Sequence, residues 1–223
     1  MNLDFNYMIQ VFLMIIKFVP LTLYMAVLSM IFAIILALVM AFIKNNRVPV
    51  FHQLVTCYIS FFRAMPTLVE LFLIYYGFPQ MFPAFKSMDA MTAAIIGLSL
   101  KEAAYLAEIF RAALNSVDKG QLEACLGVGI SKIHAYIRII LPQAARNALP
   151  ATGNTFISLL KETSLAFTLG VAELFAQGKM MAADSLDYFD TYLVVAFVYW
   201  LLIVAFSLIQ RLLEQRLDRA YNT

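Results

Sequence analysis

Charge is what this sequence has least of. Only 13% of its 223 residues are charged while 63% are hydrophobic, against about a quarter charged and about half apolar in a soluble domain. A water-soluble fold could not cover that much apolar surface, so the composition excludes one and requires a bilayer. Basic runs are absent and the net charge is only +2, which removes nucleic acid as a partner. Two cysteines, Cys57 and Cys125, sit in different segments without metal-type spacing and read as free thiols. The two histidines, His52 and His134, are also on different segments, so neither a metal site nor a histidine-based catalytic centre is expected and the chain is not read as an enzyme. A G-x4-G-K-[ST] loop is missing, so any nucleotide is expected on another chain. The first residues lack a basic start and an A-x-A-like cleavage site, which predicts no removed signal peptide.

What is present is long apolar runs. Without water every backbone polar group must be bonded within its own segment, and runs of this length choose helices over a barrel. The pattern predicts an all-α membrane protein, a single domain over 1–223 with five core spans at 18–43, 50–78, 91–114, 148–171 and 192–213. Residues 4–17 offer a further short interfacial helix before Pro20. Basic residues near span ends are retained on the cytoplasmic side. Ten of them (Lys44, Arg47, Arg111, Lys119, Lys132, Arg138, Arg146, Arg211, Arg216 and Arg219) fall on one side, against Lys17, Lys86 and Lys179 on the other. The bias puts the N-terminus outside, and the 115–146 connection and the C-terminus inside. The outer loops are correspondingly acidic, with Asp89, Glu173, Asp184, Asp187 and Asp190.

The informative residues are the ionisable ones within spans: Arg63, Glu70, Lys101, Glu102, Glu108, Lys161 and Glu162. At 1.5 Å per residue Arg63, Lys101 and Lys161 lie roughly 15–20 Å into a hydrocarbon core about 30 Å thick. A charge there costs about 2.5–3.5 kcal/mol even on the forgiving insertion scale, so such residues face a wet cavity or one another. A purely structural alternative pairs Arg63 with Glu70, Lys161 with Glu162, and Lys101 with a neighbouring carboxylate. Glu108 has its partner in Arg111 three residues on. Pro66 predicts a kink or break in the second span, and Lys161-Glu162-Thr163-Ser164 a disturbance in the fourth. Broken helices near the midplane offer freed backbone groups to a polar solute, and balanced charges at one depth suit a zwitterion.

The 115–146 connection reads as two short amphipathic helices. Asp118 caps the first, with Gln121 at the third position in a variant capping box, and Gly127 and Gly129 end it. Ser131 caps the second, whose Ile133, Ile137 and Ile140 share a face until Leu141-Pro142 stops it. A short helix with an apolar face on the cytoplasmic side asks for a groove in a partner protein or for the lipid surface.

Glu123-Ala124-Cys125, Gly129 and Ile139-Ile140-Leu141-Pro142 resemble the E-A-A-x3-G-x9-I-x-L-P loop of permease subunits of binding-protein-dependent ABC importers. Around it Ala104-Tyr105, Ala107-Glu108-Ile109, Gly120-Gln121, Pro142-Gln143-Ala144 and Lys161-Glu162-Thr163-Ser164-Leu165 resemble the polar-amino-acid branch, as does Phe62-Arg63 with Pro66. The resemblance implies the type I importer fold, a pairing with an identical or similar permease, and two cytoplasmic subunits that bind ATP and Mg. It also implies an extracytoplasmic solute-binding protein and a bacterial inner-membrane location. Coupling to the ATPases falls on Gln121, Glu123, Ala124, Cys125 and Gly129, with Glu123 holding the loop by hydrogen bonds. Substrate contact falls on Arg63, Pro66, Thr67, Glu70, Lys101, Glu102, Tyr105, Asn154, Ser158, Lys161, Glu162, Thr163 and Ser164. The stretch around Asn154-Thr155-Phe156-Ile157 is closest to subunits for cystine and related sulfur amino acids. Where the family commonly has Arg-Gly-Thr-Pro and then Gln, this chain has Arg63-Ala64-Met65-Pro66 and Glu70. A transporter driven by an ion gradient through the buried Glu and Lys residues is the competing class, against which stand the docking loop and the lack of an inverted repeat.

Overall fold

Residues 3–219 are described in the computed structural model, and all their regular structure is helical. Helix α1 (Phe5–Ile15) starts at Asp4, whose carboxylate accepts from Tyr7 N, and a 3-10 turn leads into α2 (Val19–Asn45). Then come α3 (Phe51–Ala64), α4 (Thr67–Phe72), α5 (Phe78–Met81), α6 (Ala90–Asn115) and α7 (Lys119–Gly127). The chain finishes with α8 (Lys132–Ala135), α9 (Leu141–Glu162), α10 (Leu174–Ser185) and α11 (Tyr188–Arg219).

Helices α2 and α6 form the centre. Their contact is lined by fully buried small residues, Ala26, Ala33 and Ala37 on one side and Ala93, Ala94, Ala103, Ala104 and Ala107 on the other. Lipid chains are as apolar as leucine, so helices in a bilayer associate by close backbone approach, which small side chains permit. Gly97 of α6 extends the same logic to α4, since a Cβ there would meet Leu71 Cδ2 at 2.8 Å. A second cluster joins Val11 and Ile15 of α1 to Leu174 of α10 and Val194, Val195 and Val198 of α11. Thus α1 is anchored to α10 and α11 rather than lying free at an interface. Outside these contacts α2 and α11 expose Phe32, Ile35, Val39, Phe197, Trp200, Leu208 and Leu212, a surface suited to lipid.

The run Phe5–Asn45 and the stretch Tyr188–Leu217 are each long and apolar enough to cross a membrane. Two other candidates are bent. α3 meets the segment Thr67–Met81 at 110°, and Lys132–Leu169 meets α10 at 55°. The second span is therefore two elements rather than one kinked rod, because Pro66 forces Met65 into an extended conformation (φ −83°, ψ 136°). α6 has the length to cross, about 39 Å at 1.5 Å per residue; its ionisable residues are what lower its hydropathy.

Three sequence expectations are corrected. Pro142 does not stop a helix: it lies in the first turn of α9, where its missing N–H is harmless. A π-turn at Tyr136–Ile140 precedes it, and another at Leu73–Gly77 precedes Pro79 of α5. Each widened turn sits where a proline ring would clash with the carbonyl four residues back. The π-turn also rotates Ile140 away from Ile133 and Ile137, so those two are exposed and Ile140 is buried. The region read as an outer loop at 172–190 contains α10, whose small residues Ala176, Gly178 and Ala182 let it pack closely. Two of its acids are buried rather than solvated. Glu173 caps α10, accepting from Phe175 N, Ala176 N, Thr22 Oγ1 and Tyr199 OH, and Asp190 accepts from Asp4 N.

Candidate functional site

Three elements converge at the break in the second span. α4 brings Thr67 and, one turn on, Glu70. α6 brings Lys101, Glu102 and, four residues after the lysine, Tyr105. α9 brings Asn154, Ser158 and Glu162 at successive turns of one face, together with Thr155. Lys101, Glu102, Tyr105, Asn154, Thr155, Ser158 and Glu162 line a pocket of about 320 Å³.

Lys101 is the hub. It is buried to 8% exposure, and its Nζ donates to both carboxylate oxygens of Glu162. It also lies 4.0 Å from Glu102 Oε1 and 5.7 Å from the centre of the Tyr105 ring. The Arg63 guanidinium stands over the same ring at 5.3 Å, and the Tyr105 hydroxyl donates to the Arg63 carbonyl (3.4 Å), a group left at the broken end of α3. Thr67 Oγ1 donates to Glu162 Oε2 (3.3 Å), tying the first residue of α4 to the same pair. Glu70 is 1% exposed, and neither of its carboxylate oxygens has a hydrogen-bond partner among the described residues.

Of the thirteen residues read as contacting substrate, six line this pocket, and Arg63, Thr67 and Glu70 adjoin them through Tyr105, Glu162 and electrostatic reach of Lys101. Lys161 is exposed on the helical face of Asn154 and Ser158, and Pro66 is the exposed N-cap of α4. Thr163 and Ser164 turn back on their own helix, donating to the carbonyls of Leu160 and Lys161. Of the purely structural pairings, that of Lys101 with a neighbouring carboxylate forms, with Glu162, and the other two do not. Arg63 does not pair with Glu70 nor Lys161 with Glu162, and neither cation has an ion pair among the described residues. Thr155 was not anticipated; its position seven residues before Glu162, hence on the same helix face, is the signal that could have found it. Glu108 holds Arg111 as expected and also takes Lys44 of α2.

The second candidate region is α7. Asp118 caps it by accepting from Gly120 N (2.6 Å). Gln121 does not complete a capping box; its Oε1 accepts from Gln143 Nε2 (3.0 Å), fastening α7 to the start of α9. Gly127 is helical, and the chain turns at Gly129, whose φ of +82° favours glycine. Ser131 does not cap α8 through its side chain, because its hydroxyl pairs with His134 Nδ1 (2.7 Å). Glu123 is exposed and has no hydrogen bond among the described residues, so it does not hold the loop within this chain. Ala124, Leu126, Val128 and Ile130 are exposed beside it, and Cys125 is buried.

A multi-pass helical chain with a charged pocket at a broken span and a short, mostly exposed helix between its spans has the build of a membrane permease subunit. The description "binding-protein-dependent transport system inner membrane component" matches residues 33–219. The chain belongs to that family. It is 65% identical over 222 residues to the probable amino-acid permease protein YxeN of Bacillus subtilis (strain 168), covering 100% of this chain and 99% of that one. It is 42% identical to the L-cystine transport system permease protein TcyB of the same organism, over 90% of this chain and 83% of that one. The crystal structure of an amino acid ABC transporter with histidines superposes at a TM-score of 0.87 with 33% identity, covering 97% of this chain and 100% of the other. The fold is that of the type I ABC importer permeases, and the gradient-driven alternative loses its footing.

Proposed function

We propose that this chain forms half of the translocation pathway of an ATP-driven amino-acid importer in a bacterial inner membrane. The carrying observation is the pocket beside the broken span, a space of about 320 Å³ in which Lys101 and Glu102 of α6 face Glu162 of α9, with Thr67 of α4 hydrogen-bonded to the same Glu162. An amino acid needs both signs. Arg63 and Lys161, exposed cations without an ion pair among the described residues, suit carboxylates, while Glu102 and Glu162 suit an ammonium group. The substrate is a polar or sulfur-containing amino acid. The kinship with an L-cystine permease and the two free cations favour L-cystine, which carries two carboxylates.

A second, identical or similar permease completes the path, two cytoplasmic subunits bind ATP and Mg, and an extracytoplasmic binding protein delivers the solute. The whole chain acts as one permease domain, N-terminus outside, with 115–146 as its cytoplasmic coupling loop. Gln121, Glu123, Ala124, Cys125 and Gly129 present α7 to the ATPase, whose closure draws two such levers together and opens the cavity outward. Ligand affinity must differ between the two states for hydrolysis to drive net import. The test is uptake of radiolabelled L-cystine into proteoliposomes holding the complete complex. Uptake that needs ATP and survives collapse of ion gradients supports the reading; uptake driven by a gradient without the ATPase overturns it.

A further inference from the structure

The buried charges around Lys101 do not balance. Glu70, Glu102 and Glu162 lie within electrostatic reach of one another and of Lys101, so three carboxylates surround one lysine. Only Glu162 is hydrogen-bonded to that lysine. Glu70 is the anomaly: 1% exposed, both oxygens without a partner, one helical turn beyond Thr67, which itself holds Glu162. The nearby phenol does not serve it, because Tyr58 OH donates to the Leu100 carbonyl (2.7 Å). A buried acceptor left unmade costs about 1–3 kcal/mol or more when charged, a cost that a cation brought to Glu70 would remove. The cation within reach is Lys101, now occupied elsewhere.

We propose that Glu70 is the second seat of Lys101: when a substrate ammonium takes Glu162 in the pocket, the Lys101 ammonium leaves Glu162 and hydrogen-bonds Glu70. Thr67, which bonds Glu162, lies one helical turn before Glu70 on α4, so the two seats are near neighbours, and after the exchange Glu162 and Glu70 each hold one cation. The consequence is mechanical. On Glu162, Lys101 ties α6 to α9; on Glu70 it would tie α6 to α4, immediately beyond the break at Met65-Pro66. Occupancy of the pocket is thereby passed to the half-helix whose angle to α3 is set by that break. Glu70 is a positioning residue acting through Lys101, not a substrate ligand, and the inference rests on the importer reading above.

The test uses the complete transporter in proteoliposomes with L-cystine. Glu70→Gln is expected to lower the maximal uptake rate about tenfold, the equivalent of one charge-assisted hydrogen bond lost from the transition, without raising the apparent KM. Glu162→Gln is expected to raise KM, and Glu70→Asp, which keeps the carboxylate, to recover most of the rate. A Glu70→Gln variant that raises KM as Glu162→Gln does, or that keeps the native rate, overturns the proposal alone. A native complex without ATP-dependent L-cystine uptake overturns the substrate reading and the proposal together. Without any substitution at Glu70, the 15N resonance of Lys101 Nζ, assigned through Lys101→Arg, is expected to shift when L-cystine is added; a resonance that stays in place also refutes the exchange.

Discussion

Glu173 offers the sharpest test of the fold. It is fully buried and accepts four hydrogen bonds: Phe175 N at 3.0 Å, Ala176 N at 2.8 Å, Tyr199 OH at 3.2 Å and Thr22 Oγ1 at 3.3 Å. Those donors belong to α2, the first turn of α10 and α11, so one carboxylate joins three helices. Replacement by alanine removes every acceptor at once. The two hydroxyls can turn to other acceptors, and Thr22 already accepts from Leu174 N at 3.2 Å. The two backbone N–H groups at the start of α10 cannot turn. At about 1–3 kcal/mol for each buried unsatisfied donor, Glu173→Ala should cost about 4 kcal/mol. For a chain of this size that is a fall of roughly 8–16 °C in melting temperature, readable by a thermal-shift assay on the purified permease in detergent. Glu173→Gln keeps one carbonyl oxygen and turns an amide donor toward groups that also donate, so it should fall between native and alanine. An alanine variant that melts within about 2 °C of native, less than one such donor is worth, would refute the reasoning. The four bonds would then not be the reason this acid is buried.

Arg63→Ala should abolish uptake while the complex still assembles on size-exclusion chromatography, and normal uptake would remove Arg63 from the pathway. Gly129→Val places a β-branched residue at a φ of +82° and should uncouple ATP hydrolysis from uptake in vesicles; coupling at the native ratio would count against α7 as the lever. Gly97→Val puts a Cβ 2.8 Å from Leu71 Cδ2. It should destabilise the permease by about 1–3 kcal/mol, the usual cost of overpacking, readable as a lower melting temperature.

Much of this was legible in the sequence because the bilayer simplifies the reading. Apolar length located α2 and α6 to within two residues and the middle of α11, since only a helix satisfies its own backbone in lipid. Pro66 announced the break because proline constrains the residue before it, and Met65 obeys. Angles were not legible: sequence says that a helix stops, whereas the 110° turn is decided by how α4 packs against α6 at Gly97. α10 was hidden because its residues are neither uniformly apolar nor clearly periodic; tertiary contact with α1 and α11 makes it a helix. Pro142 misled because the same residue that ends one helix opens another, and only the π-turn before it decides which. In the pocket the charged residues were visible as charges out of place. Which of them pair was not, because Lys101 and Glu162 are 61 residues apart in sequence.

The coincidence of break and charge has a physical reason. α6 buries Lys101 and Glu102, and a helix carrying both could not rest in lipid without an opposing wall to meet them. That wall is α9 through Glu162 and α4 through Thr67. A continuous second span would carry its chain straight past α6, whereas the 110° turn brings the first residue of α4 into hydrogen-bond contact with Glu162. The break therefore makes the charged pocket tolerable as well as accessible: it closes one side with a polar residue while leaving Arg63, at the broken end of α3, exposed to whatever enters. If Pro66→Ala straightened the span, Thr67 would lose Glu162 and both function and stability should fall together. Loss of uptake with an unchanged melting temperature would instead mean that the break serves transport alone.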